Sequence, residues 1–451
     1  MTSVERKKVF EEMPVKRAVV HQIVPAIASQ MIMVVYNLAD TFFVGLLNSP
    51  AQTAAVTIAA PASVFLTAVS NLFGVGAASL IARRLGAHRE NDAKEVSSVA
   101  FWWGLLASVF TALLFFALAK PIFSLCGADE STYAVTYAYA RWTVMIGAPF
   151  SVMSMLMANL VRAEGSAMSA SFGLSLGAVI NIVLDPIFVL PRFLGMGAEG
   201  AGFATAVSNA ISAAFFAVYI LRRRRVSIIS IAPKHLSKTK THMGQILAIG
   251  FPSAVQMGLT VVAAAAQTHF VSSYVTEAVA ALGIVKKIDQ LPLFFSIGVA
   301  NGLLPLLGYN HASGNHRRRS DAFRFGMVIS VGFALLCVIV YESLAPQLTA
   351  LFIGDAVTVH YASGFLRRMV LAMPLMAISY PMIVQFQAMG KARQSLIASL
   401  LRKGVLDIPL LFLMDSLLPL YGCMWVQPIV DCISLIAALY MYRRLKNNGF
   451  Q

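Results

Sequence analysis

The sequence predicts an all-α integral membrane protein with twelve transmembrane helices, arranged as two six-helix bundles that repeat one another. Three observations carry this. Of the 451 residues, 58% are hydrophobic and 12% charged, and a mean hydropathy of +0.74 is far too apolar for a soluble fold of this length. Twelve apolar stretches follow one another, each about 20 residues or more, the length that crosses ~30 Å of hydrocarbon. Finally, the chain repeats itself. PAIASQMIMVVYNLADTFFV, from Pro25 to Val44, returns as PSAVQMGLTVVAAAAQTHFV from Pro252 to Val271. Gly86, His88 and Arg89 return as Gly314, His316 and Arg317; Pro149, Ala163, Gly165 and Ala167 as Pro374, Ala388, Gly390 and Ala392; Leu184, Asp185 and Gly200 as Leu406, Asp407 and Gly422. Collinear matches at a nearly constant offset mark a duplication. With six spans per copy, both copies begin on the same side of the membrane, which makes the repeat parallel.

In chain order, span 1 (19–44) carries Pro25, Asn37 and Asp40, and span 2 (54–80) runs into a basic turn at Arg83 and Arg84. Spans 3 and 4 cover 97–119 and 136–160, with Asn159 at the end of span 4. Span 5 (167–190) holds Asn181 and Asp185; span 6 (198–221) holds Thr205 and Asn209 and stops at the run Arg222 to Arg225. Span 7 (245–271) contains Pro252, Gln256 and Gln267, and span 8 (279–305) contains Lys286, Lys287 and Asp289. Spans 9 to 12 cover 325–344, 361–386, 395–416 and 421–441, with Asp407 in span 11 and Asp431 in span 12. Residues 1–221 and 244–451 are thus the two bundles, and 222–243, where hydropathy drops and basic residues cluster, is a basic linker. The first apolar run follows basic residues as a secretion signal does. It is too long, lacks a small-x-small cleavage site and contains Asp40, so it reads as a retained span.

Orientation follows from lysine and arginine. Of the 35 basic residues, 28 fall in the N-terminal arm, the even-to-odd loops with their flanks, and the C-terminal tail. Both termini are therefore expected to be cytoplasmic. The net charge of +15 is mostly this asymmetry, and no nucleic-acid partner is expected. Cys126, Cys337, Cys423 and Cys432 lack metal or redox spacing and read as packing residues. No G-x-x-x-x-G-K-[ST] loop occurs, which excludes ATP as this chain's direct energy source.

Charge inside hydrocarbon is costly, so acids kept there are candidates for function. Five lie well inside spans: Asp40, Asp185, Asp289, Asp407 and Asp431. Asn37 precedes Asp40 by three residues and Asn181 precedes Asp185 by four, so each acid shares a helix face with an amide. With Asn159, Thr205 and Asn209 they form a polar set in the first bundle. Burial and a neighbouring like charge both favour the neutral form of a carboxylic acid, so such a pair is suited to exchanging protons. The bland alternative is a set of satisfied interhelical hydrogen bonds. In the second bundle, Gln267 stands where the first has Asp40, and Gln256 adds a second amide. Asp289 is expected to neutralise Lys286 or Lys287, and Asp431 to be polar packing. Pro25 and Pro252 interrupt their helices and permit bends. Methionines crowd span 4 (Met145, Met153, Met155, Met157) and span 10 (Met369, Met373, Met376, Met382), as a cavity lining or as lipid-facing filler.

These residues resemble those of the multidrug and toxic compound extrusion (MATE) transporters, most closely the bacterial MepA-like and DinF-like branch. The resemblance covers essentially the whole chain. It is carried by NLADTFFVG, GVGAASLIARRLGAHREN, RAEGSAMSA, NIVLDPIFVLPRFLGMGAEGAGFATAVSN and GYNHASGNHRR, the fourth being the most specific. It implies two six-helix bundles facing each other across a V-shaped central cavity, and export of organic, often cationic amphipathic compounds in exchange for protons or sodium ions, without a cofactor. It maps the cation-coupling role onto Asp40, Asp185, Asn181, Asn159 and Thr205, with Pro25 as the bending proline. Asn37, Asn209, Gln256, Gln267, Asp289 and Asp407 become candidates for the substrate cavity. Members with a cation site in the second bundle use acids in spans 7 and 10; this chain has Gln256 in span 7 and no acid in span 10, so coupling falls to Asp40 and Asp185. A monomer in the bacterial plasma membrane, working on small organic substrates among membrane lipids, is expected.

A flippase for lipid-linked glycans is the alternative, and would need unpaired cations for a pyrophosphate from among Lys286, Lys287, Arg141, Arg367 and Arg368. A major-facilitator transporter is disfavoured because ARRLGAH has Arg83 where that superfamily carries an acid. An embedded enzyme is disfavoured because no His-Glu metal motif or G-x-S-x-G elbow lies in the spans.

Overall fold

Helices long enough to cross a bilayer dominate the computed structural model, which describes residues 2–447; no strand occurs among those residues. The first half supplies α1 (Val15–Gly45), α2 (Pro50–Gly86), α3 (Glu90–Ala117), α4 (Tyr133–Ile146 and Ala148–Ala163), α5 (Ala167–Val189) and α6 (Gly197–Arg222). The second supplies α7 (Thr239–Ser272), α8 (Thr276–Ala312), α9 (His316–Ala350), α10 (Ala356–Ala388), α11 (Ala392–Arg402 and Asp407–Leu417) and α12 (Gly422–Asn447). All twelve expected spans have a counterpart, and several run well past their apolar windows, because backbone hydrogen bonding continues into the polar flanks.

Four spans depart from a single α-helix: α9 kinks at Leu344, α10 passes through a 3-10 turn at Val370–Ala372, and α4 and α11 are broken. In α4 the segments meet at 46° after a π-helical stretch at Arg141–Ile146. In α11 the chain leaves the helix between Arg402 and Asp407. Gly404 there adopts φ +125, which side-chain-bearing residues rarely take, and its N–H donates to the Asp407 carboxylate at 2.7 Å. The acid, first residue of the span's second half, closes the break by holding this loop N–H.

Apolar packing gives the molecule its shape. At the end carrying the N-terminal arm and the basic turns, one continuous core draws on both halves, including Ile23, Phe73, Ile81, Ile246, Leu303 and Phe386. Toward the other end this core divides into two that share no residue. One, around Val44, Phe115, Tyr139 and Val189, belongs to the first half; the other, around Val271, Val285, Phe365 and Val430, belongs to the second. The bundles therefore meet at the basic end and part toward the far end, leaving a V-shaped cleft between them. Glycine makes the meeting possible: a Cβ on Gly250 of α7 would lie 1.7 Å from the Leu72 carbonyl oxygen of α2, and one on Gly76 would lie 2.1 Å from that of Ile246. Ser79 adds a hydrogen bond across the halves, donating to the Gln387 carbonyl at 2.5 Å.

Two segments outside the spans reinforce this closed end. The arm, a helix at Ser3–Lys7 continuing as a π turn through Glu12, precedes α1 yet docks on the second half. Phe10 is fully buried and stacks on Tyr309 with 4.8 Å between ring centroids. Arg318 donates to the Phe10 carbonyl at 2.7 Å and the Val9 carbonyl at 3.2 Å, and the Tyr309 hydroxyl donates to Glu11. Arg6 meets Glu90 of the first half at 2.6 Å. The linker is likewise no loose tether. It lies against α3, where Trp102 donates to the Ile231 carbonyl at 3.0 Å and Ser98 to that of Ala232 at 2.7 Å, with Ile228 and Ile229 buried.

Candidate functional site

The far-end half of the first bundle holds a polar cluster walled by apolar packing. Asp40 lies five residues before the end of α1 and Asp185 four before the end of α5. These helices run in the same direction, so the acids reach a similar depth. Asp185 is completely buried and Asp40 is 9% exposed, and each is within electrostatic reach of the other. One helical turn before Asp185, the Asn181 amide is oriented by its partners: its nitrogen donates to Asp185 Oδ2 at 2.8 Å, and its oxygen accepts from Thr205 Oγ1 of α6 at 3.2 Å. One oxygen of Asp185 is thus held through α5 and α6. Asp40 differs, because its Oδ1 is buried with no hydrogen-bond partner among the described residues. An ionised carboxylate left so is costly; a bound cation or proton removes the cost.

Two hydroxyls that sequence reading passed over complete the cluster. Tyr36 and Tyr139 each lie within electrostatic reach of both acids. Tyr36 sits one turn before Asp40, a spacing that could have flagged it; Tyr139, from the bent α4, carries no local signal. Asn37 is half-buried and its carbonyl accepts from Thr41 Oγ1 at 2.9 Å. Asn209 is half-buried one turn beyond Thr205. Asn159 is not brought to the cluster. It lies four residues from the basic end of α4, where its Oδ1 accepts from Arg162 Nη1 at 3.1 Å, because α4 runs opposite in direction to α1 and α5. Pro25 lies within α1 toward the basic end, buried.

The second bundle spends its polar groups differently. The expected ion pair between Asp289 and Lys286 or Lys287 does not form within 4.0 Å among the described residues. Instead Lys286 reaches α7, donating to the Ala264 carbonyl and to Thr268 Oγ1, both at 3.2 Å. Asp289 keeps company with Lys403, Asp431 and Arg402. Asp431 is more than polar packing: it pairs with Arg402 at 3.0 Å, with side chains 0% and 2% exposed, and accepts from Gln427 Nε2 at 2.8 Å. The Arg402 guanidinium also lies over the Tyr380 ring at 4.0 Å. Gln267 donates to the Cys423 carbonyl at 3.2 Å, tying α7 to α12, and Gln256 accepts from Ser399 at 3.5 Å. Asp407, the repeat partner of Asp185, is spent on the Gly404 N–H at the break in α11. Duplication kept the acid but not its surroundings.

The cations required by a glycan flippase are largely engaged. Arg141 pairs with Glu199 at 2.5 Å, Arg367 with Glu342 at 3.8 Å, and Arg368 donates to the Gly364 carbonyl at 2.7 Å. Seven of the eight methionines in spans 4 and 10 are packed inside the protein rather than facing lipid. The four cysteines are free, and no group of three or more His, Cys, Asp or Glu suited to a metal ion occurs among the described residues.

Twelve spans in two parallel bundles closed at one end, with buried acids in one wall of the cleft, define a membrane transporter rather than an enzyme. The family model MatE matches residues 25–187 and again 252–413, and the chain belongs to that family, the MATE transporters. Both matches start at the prolines that opened the repeat. Among curated proteins it is 30% identical to the multidrug export protein MepA of Staphylococcus saprophyticus over 438 residues, 97% of this chain and 96% of that one. It is 28% identical to MepA of Staphylococcus aureus over 442 residues, with the same coverage. Among solved structures it is similar, with a TM-score of 0.92, 25% identity and full coverage of both chains, to the outward-facing conformation of a multidrug resistance MATE family transporter of the MOP superfamily.

Proposed function

We infer that this protein exports organic, often cationic amphipathic compounds from the bacterial cell by ion-coupled antiport, with the coupling ion bound at Asp40 and Asp185. The ion is a proton, with sodium as the alternative at the same two carboxylates. The protein lies in the plasma membrane with both termini cytoplasmic, because its basic residues concentrate at that end; the cleft then opens outward. The MepA relatives are multidrug export proteins, and their similarity spans nearly the whole chain.

The observation that carries the coupling assignment is the asymmetry within the acid pair. Asn181 and Thr205 hold Asp185, whereas Asp40 keeps a buried oxygen without a partner. An ion binding there gains more in whichever state buries the site most completely, and a cationic substrate competes for the same charge. Differential affinity of ion and substrate for the two states is all that exchange requires. In the inward-facing state a charged Asp40 favours substrate; facing outward, ion uptake releases it. In the second half the acid facing Asp289, Asp431, is already committed to Arg402.

The test is ethidium transport in proteoliposomes under an imposed pH gradient or an imposed sodium gradient. Transport driven by the pH gradient alone supports proton coupling, transport driven by sodium alone moves the assignment to sodium, and transport indifferent to both refutes antiport.

A further inference from the structure

On the membrane-facing surface of the first half, α5 and α6 leave a groove of about 480 Å³ lined by Leu176, Ile211, Phe215, Val218 and Tyr219. It ends at Arg222 and Arg223. That volume falls within the range of small-ligand pockets, which combine mostly apolar walls with a few fixed polar groups. From Ile211 to Arg222 the helix rises about 16 Å at ~1.5 Å per residue, close to half of a ~30 Å hydrocarbon core. The groove is therefore as deep as one leaflet, with its charge at the headgroup level. Its wall is aromatic, because Phe215 packs between Phe172 and Tyr219 with ring centroids 5.4 and 6.3 Å away.

Four consecutive arginines stand at its mouth, Arg222 to Arg225, all exposed, and among the described residues none of them has a carboxylate within 4.0 Å. Arg223 is preset: its guanidinium lies 4.8 Å over the Tyr219 ring and donates to the Tyr219 hydroxyl at 3.4 Å. Glu5, the acid that feels Arg223, is committed to a capping box with Thr2. A stop-transfer signal needs positive charge at this position; it does not need a leaflet-deep apolar groove leading up to it.

We propose that this groove binds an anionic phospholipid, with one acyl chain along Leu176, Ile211 and Val218 and the phosphate between Arg222 and Arg223. The site is separate from the acid pair and does not depend on the export reading. Arg222 is the last residue of α6, and the chain continues directly into the linker packed on α3, so the bound headgroup braces the start of the only covalent connection between the halves.

Native mass spectrometry of the detergent-solubilised protein tests this, using phosphatidylglycerol and phosphatidylethanolamine of identical chains, and glycerol 3-phosphate as the free-phosphate source. A basic side chain at a membrane surface is worth about fivefold in attraction for anionic lipid, so the two arginines should favour phosphatidylglycerol by about thirtyfold. Arg222→Gln with Arg223→Gln, which removes the charge and the Arg223 contact with Tyr219 but leaves the aliphatic lining, should bring the two lipids to parity, and Val218→Trp should reduce retention of both. Arg443→Gln with Arg444→Gln removes equal charge elsewhere and should change neither. Equal retention of the two lipids by the unaltered protein overturns the proposal. So does an equal loss in the Arg443/Arg444 control, or full displacement by glycerol 3-phosphate with no effect of Val218→Trp.

Discussion

Phe10→Ala tests how the closed end is held. Phe10 belongs to the arm ahead of α1 but buries its ring against Tyr309 of the opposite half, with no exposed surface. Truncating a fully buried phenylalanine costs about 3–5 kcal/mol. The Arg318 bonds go to the Phe10 and Val9 main-chain carbonyls, which survive the substitution, so the lower figure applies. Because the arm leads directly into α1 and meets Glu90 of the first half, its docking on the second half ties the two together at the closed basic end, and the cost is expected to fall on that state. A differential of about 3 kcal/mol changes a two-state ratio by more than a hundredfold. Spin labels at Ala87→Cys and Ser313→Cys, on exposed turns of the two halves at this end, with the four native cysteines replaced, report the separation by pulsed electron resonance. The long-distance population should rise at least about tenfold in Phe10→Ala. An unchanged distance distribution in a folded Phe10→Ala protein refutes the idea that the arm latches the two halves.

Other substitutions probe separate features. Gly250→Ala places a methyl group where the Leu72 carbonyl oxygen lies at 1.7 Å, so the same labels should show opening at the basic end with the arm intact; no change would mean that α2 and α7 have slack at this seam. Arg402→Ala leaves Asp431 buried without its cation and should cost about 3–5 kcal/mol, seen as a lower thermal unfolding midpoint in detergent, while Arg402→Met with Asp431→Leu should recover most of the loss. Asn181→Ala removes a hydrogen bond to the Asp185 carboxylate, worth about 1.5–3 kcal/mol for a charged acceptor. Gradient-driven ethidium export should fall about tenfold or more, with ethidium binding to the solubilised protein unchanged; equal losses in both would make Asn181 a general structural residue.

The framework was open to sequence reading because hydrophobic length and repetition are coarse signals that many residues share. Twelve spans and the parallel duplication follow from such signals; the Asp40, Asp185, Asn181 and Thr205 set is picked out instead by acids inside hydrocarbon, the amide one turn before Asp185 and the family resemblance. What stayed hidden depends on depth and on tertiary choice. Asn159 looks equivalent to Asn181 in a polar tally, but reversing the direction of α4 puts it at the opposite end of the bundle. Lys286 and Asp289 have helical spacing suited to a pair, yet Lys286 finds a carbonyl and a hydroxyl on α7 instead. Asp431 reads as polar packing and proves to be the buried partner of Arg402, a pairing between two helices that no local spacing announces. The break in α11 at Gly404 interrupts what reads as one apolar span, 395–416. The docked arm left less trace: Val9 and Phe10 are two apolar residues among charges, and only the fold supplies the pocket they fill.

The central claim is that the ion doing work binds at Asp40. The most direct test is the rate of ethidium transport into proteoliposomes under the coupling gradient for Asp40→Asn beside the unaltered protein, with orientation and protein content matched. An amide has nearly the shape of the carboxylate but neither ionises nor holds a sodium ion strongly, so gradient-driven transport should drop to the level of protein-free vesicles. Asp40→Asn transport at the unaltered rate under both a pH and a sodium gradient would contradict it.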